Sequence, residues 1–176
     1  MKNNTTKYAI LGLLTIEPLS GYEMKKLIKE SLAYFWSESN GQIYPTLNQL
    51  LKDHWIVVSN TTSSSKKSTR YAITEQGSKE LQIWMQKDIE KSVHRDENLL
   101  KLFFGANVPK QESIRRLESR QEKLTEKLNE YQTIVKALEK KSGPHAIYWM
   151  MTADYGIRSV QAAIDWCQNC IRILSN

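Results

Sequence analysis

Between Ile114 and Leu174, apolar residues recur at alternating steps of three and four, and this spacing predicts long α-helices. Ile114, Leu117, Gln121, Leu124, Leu128, Tyr131, Val135 and Leu138 form one heptad seam, in which only Gln121 is polar. Met150, Ala153, Ile157, Val160, Ile164, Cys167, Ile171 and Leu174 form a second. Lys141-Ser142-Gly143-Pro144 separates them, with Gly and Pro placed to stop the first helix. The final helix, His145–Leu174, carries a further stripe of Tyr148, Tyr155, Ala162, Trp166 and Ile173. A helix that is apolar on two sides has more than one neighbour. Two helices paired only with each other would leave part of that surface wet, so a partner chain is the economical cover.

The N-terminal half is built around Asn40–Trp55. Ile43, Leu47, Leu50 and Leu51 share one helical face, while Gly41, Gln42, Pro45, Asn48, Gln49 and Lys52 occupy the other. The outer face offers amides and a cation, with no carboxylate to repel phosphate; Asp53 sits just past it. Pro45 predicts an irregular first turn, begun by Ser39 or Asn40 as N-cap. An ordinary amphipathic helix has the same pattern, so the flanking sequence decides its meaning.

Upstream, Lys7–Thr15 is a short apolar helix that ends before Pro18. Ser20 and Glu23 form a capping box. The helix it opens places Met24, Leu27, Ile28, Leu32 and Phe35 inward, with Lys25, Lys26 and Lys29 elsewhere on its surface. Tyr34–Gly41 then turns the chain into the polar-faced helix. Downstream, Trp55–Val58 and Thr69–Ile73 are β-like and flank a polar loop, Ser59–Ser68. From Ser59 to Ile73 the only charges are Lys66, Lys67 and Arg70, all positive. Helix, helix, turn, polar-faced helix and cationic hairpin is the order of a winged helix-turn-helix.

Thr74 is the predicted N-cap of the next helix, with Leu81, Trp84, Met85 and Ile89 on its inner face. The charged stretch Lys87–Asp96 marks the boundary between domains, 1–90 and 91–176. Glu97–Gly105 is a short apolar helix whose terminal Gly105 is expected in a left-handed conformation, with Pro109 near the start of the long helix that follows. The fold class is therefore mostly α with a small β-hairpin, an N-terminal winged helix-turn-helix followed by an antiparallel helical domain.

Composition narrows the function. A net charge of +6 permits a polyanionic partner, and 40% hydrophobic with 25% charged residues is that of a soluble globular protein. No apolar run approaches the roughly 20 residues that span a bilayer, so the chain is expected in the cytoplasm, away from membranes. Cys167 and Cys170 have the spacing of a metal or redox pair, but no second pair or nearby His completes four ligands. Cys167 lies on the heptad seam and reads as a core residue. His54, His94 and His145 fall on different elements. Nucleotide-loop, zinc-protease and nucleophilic-triad patterns are absent, so no cofactor, metal site or enzyme activity is expected. A winged helix serving as a protein-interaction module on a coiled-coil scaffold is the alternative, and Lys66, Lys67 and Arg70 count against it.

The stretches KYAILGLL, PLSGYEMKKLI, FWSESNGQIYPTLNQL, RYAITEQG and ENLLKLFFG together resemble the PadR-like transcriptional regulators, in the family's order. The C-terminal hairpin is similar in length and pattern to the larger C-terminal domain of members that respond to phenolic acids. The resemblance implies a homodimeric winged-helix repressor that leaves a palindromic operator when a small ligand binds. It implies DNA contacts at Gln42, Tyr44, Asn48 and Lys52, at Lys66 and Lys67 in the wing beside Arg70, and at Tyr22, Lys25 and Lys26 on the second helix. With a surplus of aromatics, it also suggests Phe35, Trp36, Trp149, Tyr155 and Trp166 as walls for a planar effector.

Overall fold

The computed structural model describes residues 5–32, 35–36, 41–59, 69–89 and 96–176. The chain divides into two compact units, Met1–Lys91 and Ser92–Asn176.

In the first unit, α1 (Thr6–Leu14) is followed by β1 (Leu19–Ser20) and α2 (Gly21–Leu27), which runs into a π-helical turn, Ile28–Leu32. Then come α3 (Ile43–Lys52), β2 (Ile56–Ser59), β3 (Arg70–Ile73) and α4 (Glu75–Met85). Ser20 begins α2 as expected: its hydroxyl accepts from the Glu23 N–H, and the Glu23 carboxylate accepts from the Ser20 N–H at 2.7 Å. The sheet has strand order β1-β3-β2, with both pairings antiparallel. The hairpin of a winged helix is therefore joined by a third strand, which pairs Leu19 with Tyr71 and Ser20 with Arg70.

The core of this unit gathers Ile10, Leu11 and Leu14 of α1 with Leu19, Met24, Ile28, Ile43, Leu47, Leu50, Ile56 and Leu81. Tyr8 stacks on Trp84 at a centroid distance of 4.5 Å, fastening α4 to α1. The first residues of α4 press on the β2 entrance, where a Cβ on Gly77 would meet the Trp55 carbonyl oxygen at 2.1 Å. Only glycine fits there.

Several expectations are corrected. The helix around Leu47 is shorter than Asn40–Trp55, and Ser39 and Asn40 lie outside the described residues. Its N-cap is Gln42, whose side chain makes no cap bond; its carbonyl accepts from both the Thr46 N–H (3.1 Å) and the Thr46 hydroxyl (2.7 Å). Pro45 falls in the first turn, where its missing N–H had no intrahelical partner, so the helix is regular from Ile43. His54, at φ +57°, takes the left-handed position after the helix end, and Trp55 donates back to the Leu50 carbonyl. Phe35 is 52% exposed rather than inward. Met85 and Ile89 are exposed too, because α4 stops at Met85 and its buried stripe ends with Leu81 and Trp84.

The second unit contains α5 (Glu97–Phe103), a short 3-10 turn (Gly105–Asn107), α6 (Lys110–Leu138) and α7 (Ala146–Ser175). Gly105 opens that turn instead of ending α5 in a left-handed conformation; among the described glycines only Gly143, in the α6–α7 connection, has positive φ. Pro109 is the N-cap of α6. The two seams pack together, with Leu117 and Tyr131 buried from α6 and Ala153, Val160, Ile164 and Cys167 from α7. The helices approach most closely at Gly156, where a Cβ would lie 2.9 Å from the Tyr131 ring. Asp96 starts α5, accepting from the N–H groups of Asn98 (2.8 Å) and Leu99 (3.2 Å).

Candidate nucleic-acid interface

The outer face of α3 is built by its inner one. Ile43, Leu47 and Leu50 are each almost fully buried, and Thr46 is buried beside them. That anchoring turns Tyr44, Asn48 and Lys52, with Gln42 just ahead of the helix, to solvent. Gln49 shares the exposed face, but its side-chain amide donates to Asp53 at 2.8 Å. Among the described residues, Gln42 and Asn48 are thus the amides of that face that meet no carboxylate, and Lys52 supplies a cation at the helix's end.

Tyr22, on α2, is 70% exposed, and Tyr44 is 56% exposed. Large aromatic rings in solvent are costly to hydrate, and their hydroxyls can reach a polar partner. The Tyr44 ring packs against the backbone of Gly21: a Cβ there would meet Tyr44 Cε1 at 2.8 Å and Cζ at 3.2 Å. Lys25 and Lys26 are exposed along α2, and Lys26 lies 3.9 Å from Glu30.

Arg70 is placed differently from the other cations. It sits in β3, and its guanidinium donates to Glu23 at 3.1 Å. Glu23 therefore serves two elements, closing the capping box of α2 and holding the first residue of β3. The Ser20 N–H, reinforced by the Ser20 hydroxyl and by Arg70, keeps the Glu23 carboxyl below the usual carboxylate range. Lys66 and Lys67 lie outside the described residues.

The aromatic residues expected to line an effector site are divided between the two units. Phe35 and Trp36 belong to the first unit; the Trp36 indole N–H is buried without an acceptor among the described residues. Trp149, Tyr155 and Trp166 are strung along α7 in the second unit. Trp149 stacks on His145 at 5.7 Å, and Tyr155 is 70% exposed. Of these, Trp166 lines a small pocket of the second unit, beside Asn98, Leu102, Ser113, Arg116, Leu117 and Arg120. Its cavity volume is about 10 Å³, room for one water.

A polar pair at the edge of that pocket leaves no mark in the sequence. Arg120 donates to both Asp96 oxygens, at 3.1 and 2.9 Å, and lies over the Trp166 ring at 5.8 Å. Those bonds hold the Asp96 carboxyl down at about 2. The charges of Asp96 and Arg120 looked like ordinary surface residues in the sequence, and nothing local announces a pair 24 positions apart. Nearby Cys167 is buried, which pushes its thiol pKa up. Among the described residues no three His, Cys, Asp or Glu side chains gather as a metal site, and no helix is long and apolar enough to cross a membrane.

Two family profiles match the chain: one described as the transcriptional regulator PadR-like family over residues 10–83, and one described as virulence activator alpha C-term over residues 94–175. The negative transcriptional regulator PadR of Bacillus subtilis is 35% identical over 143 residues, covering 77% of this chain and 78% of that protein. The crystal structure of Bacillus subtilis PadR in complex with operator DNA matches with a TM-score of 0.86 at 28% identity, covering 97% of this chain and 99% of the other. The same protein in complex with p-coumaric acid matches with a TM-score of 0.83 at 26% identity, covering 98% and 100%. With this identity over more than two thirds of a regulator's length, the chain belongs to the PadR-like family of transcriptional regulators.

Proposed function

We propose that this protein is a homodimeric repressor that binds a pseudo-palindromic operator and is released by a small planar ligand, a phenolic or other aromatic acid. The observation that carries the reading is the outer face of α3. Gln42, Tyr44, Asn48 and Lys52 project from a helix whose other face is locked in a core, and Tyr22 stands exposed on α2. In this reading α3 enters the major groove, where Gln42 and Asn48 amides pair with a base edge such as adenine N6/N7. Lys25 and Lys26 meet the backbone from α2, and Lys66 and Lys67 do so from the wing. Arg70 contributes by holding the wing strand to α2 through Glu23. The likeness to a negative regulator, and to its complex with operator DNA, supports repression.

The dimer reading rests on apolar surface. Tyr148, Met151, Tyr155 and Ile173 of α7 are each at least 60% exposed, and α5 buries none of its residues while presenting Leu100 and Phe103. A second copy covers such faces and places two recognition helices on one duplex, as the symmetry of a closed dimer requires.

The ligand reading rests on Trp166 and Arg120 and on the likeness to the p-coumaric acid complex. A pocket of one water's volume must open to admit an aromatic acid, so the ligand selects an altered state. A tenfold loss of operator affinity requires about 1.4 kcal/mol of coupling, and bound operator must weaken the ligand equally.

The test is a gel shift against fragments of the protein's own genome at two salt concentrations. Selective retention of one fragment at the higher salt supports the reading. Equal binding to all fragments, or to none, overturns it.

A further inference from the structure

We infer that Gly21 is a positioning residue for the recognition helix: it leaves the space in which the Tyr44 ring lies, and so sets where that phenol points. The inference rests on the reading of Tyr44 as a DNA contact. Gly21 is the first residue of α2 and is buried. Among the described residues its φ is not positive, so backbone conformation does not demand glycine here. Alanine is the better helix former. What the position demands is the absence of a Cβ, which would stand 2.8 Å from Tyr44 Cε1, 3.2 Å from Cζ and 3.3 Å from Leu47 Cδ1.

The two neighbours respond differently to such an intrusion. Leu47 is 1% exposed and belongs to the core, and at 3.3 Å it needs to give by only a few tenths of an ångström. Tyr44 is 56% exposed and the ring atoms that a Cβ would meet lie at the far end of its side chain, so its ring swings outward at little cost to packing. A methyl group at position 21 therefore leaves the fold standing and redirects the phenol. The adjacent Tyr22 keeps its place, because the capping box that fixes α2 uses Ser20 and Glu23 only.

The experiment compares full-length protein with Gly21→Ala, Tyr44→Ala and the double variant. The probe is a fluorescently labelled genomic fragment, the one retained at higher salt in the gel shift. Gly21→Ala is expected to keep or raise the thermal midpoint while weakening the fragment about tenfold, the scale of one lost base or backbone contact. In the Tyr44→Ala background, the same substitution is expected to change affinity by less than about twofold, because the ring it acts through is gone. If Tyr44→Ala binds as tightly as the parent, the reading of Tyr44 as a contact fails and the inference falls with it. If Tyr44→Ala weakens binding but Gly21→Ala does not, the inference alone is overturned. It is also overturned if Gly21→Ala lowers the midpoint along with affinity, or costs as much without Tyr44 as with it.

Discussion

Replacing Asp96 with Asn isolates the charge that joins the start of α5 to α6. Asp96 has two tasks: it caps α5 through the Asn98 and Leu99 N–H groups, and it accepts two hydrogen bonds from Arg120. Asn caps a helix about as well as Asp, so the substitution spares the first task and removes the ion pair. The pair is well shielded, with only 14% of the Asp96 side chain and 22% of the Arg120 side chain exposed. Hydrogen bonds from Arg120, aided by its charge and by the Leu99 and Asn98 N–H groups, lower the carboxyl from its ordinary 3.8 to about 2. A difference of that size corresponds to about 2 kcal/mol of folding stability. Because the folded-state pKa lies below the unfolded one, this contribution is fully present above about pH 4 and is lost as pH falls through about 2. Because the cap bonds are kept, Asp96→Asn is expected to destabilise the second unit by about 1–2 kcal/mol at neutral pH, with the deficit shrinking towards zero near pH 2. Urea unfolding followed by circular dichroism measures it, at one fixed protein concentration because association shifts apparent stability. A neutral-pH loss below about 0.5 kcal/mol, or a deficit that does not change between about pH 5 and pH 2, would refute the assignment.

Further substitutions probe other positions of the chain. His54 holds a left-handed backbone, at φ +57°, so His54→Gly should raise stability by about 0.5–1 kcal/mol; an unchanged urea midpoint contradicts this. Gly12 has nothing within 4 Å of a Cβ, so Gly12→Ala should stabilise α1 by about 0.5–1 kcal/mol, whereas Gly156→Ala pushes on the buried Tyr131 ring and should cost about 1–2 kcal/mol. Equal effects at the two glycines in thermal melts would show that the α6–α7 contact is looser than described. In titrations across salt, Lys66→Ala or Lys67→Ala should make the slope of operator binding shallower by about one, while Arg70→Gln should weaken binding with its slope intact. A shallower slope for Arg70→Gln would make it a direct phosphate contact.

The buried face of α3 was legible in the sequence because Ile43, Leu47 and Leu50 repeat at helical spacing, and burial follows that spacing. The two long seams were legible for the same reason, and so was the capping box of Ser20 and Glu23, whose partners are three residues apart. Features without a local period were not. β1 is only two residues long, too short for alternation to show, and its pairing with β3 spans half a hundred positions of chain. Arg70 reads as a free wing cation until Glu23, 47 residues away, is seen beside it. Helix ends were also misjudged: Gln42 starts α3 with its backbone alone, and Met85 and Ile89 continue an apolar spacing beyond the point where α4 stops. Gly105 carried the right residue type for a left-handed end, but the chain continues there as a 3-10 turn.

In the proposed function, two copies of α3 read one duplex. Footprinting the purified protein on the genomic fragment retained at higher salt tests it most directly. Two protected half-sites of inverted sequence are expected, their centres one helical turn apart, roughly 34–36 Å, or a multiple of that. Protection of a single site without inverted symmetry, or uniform protection along the fragment, would contradict it.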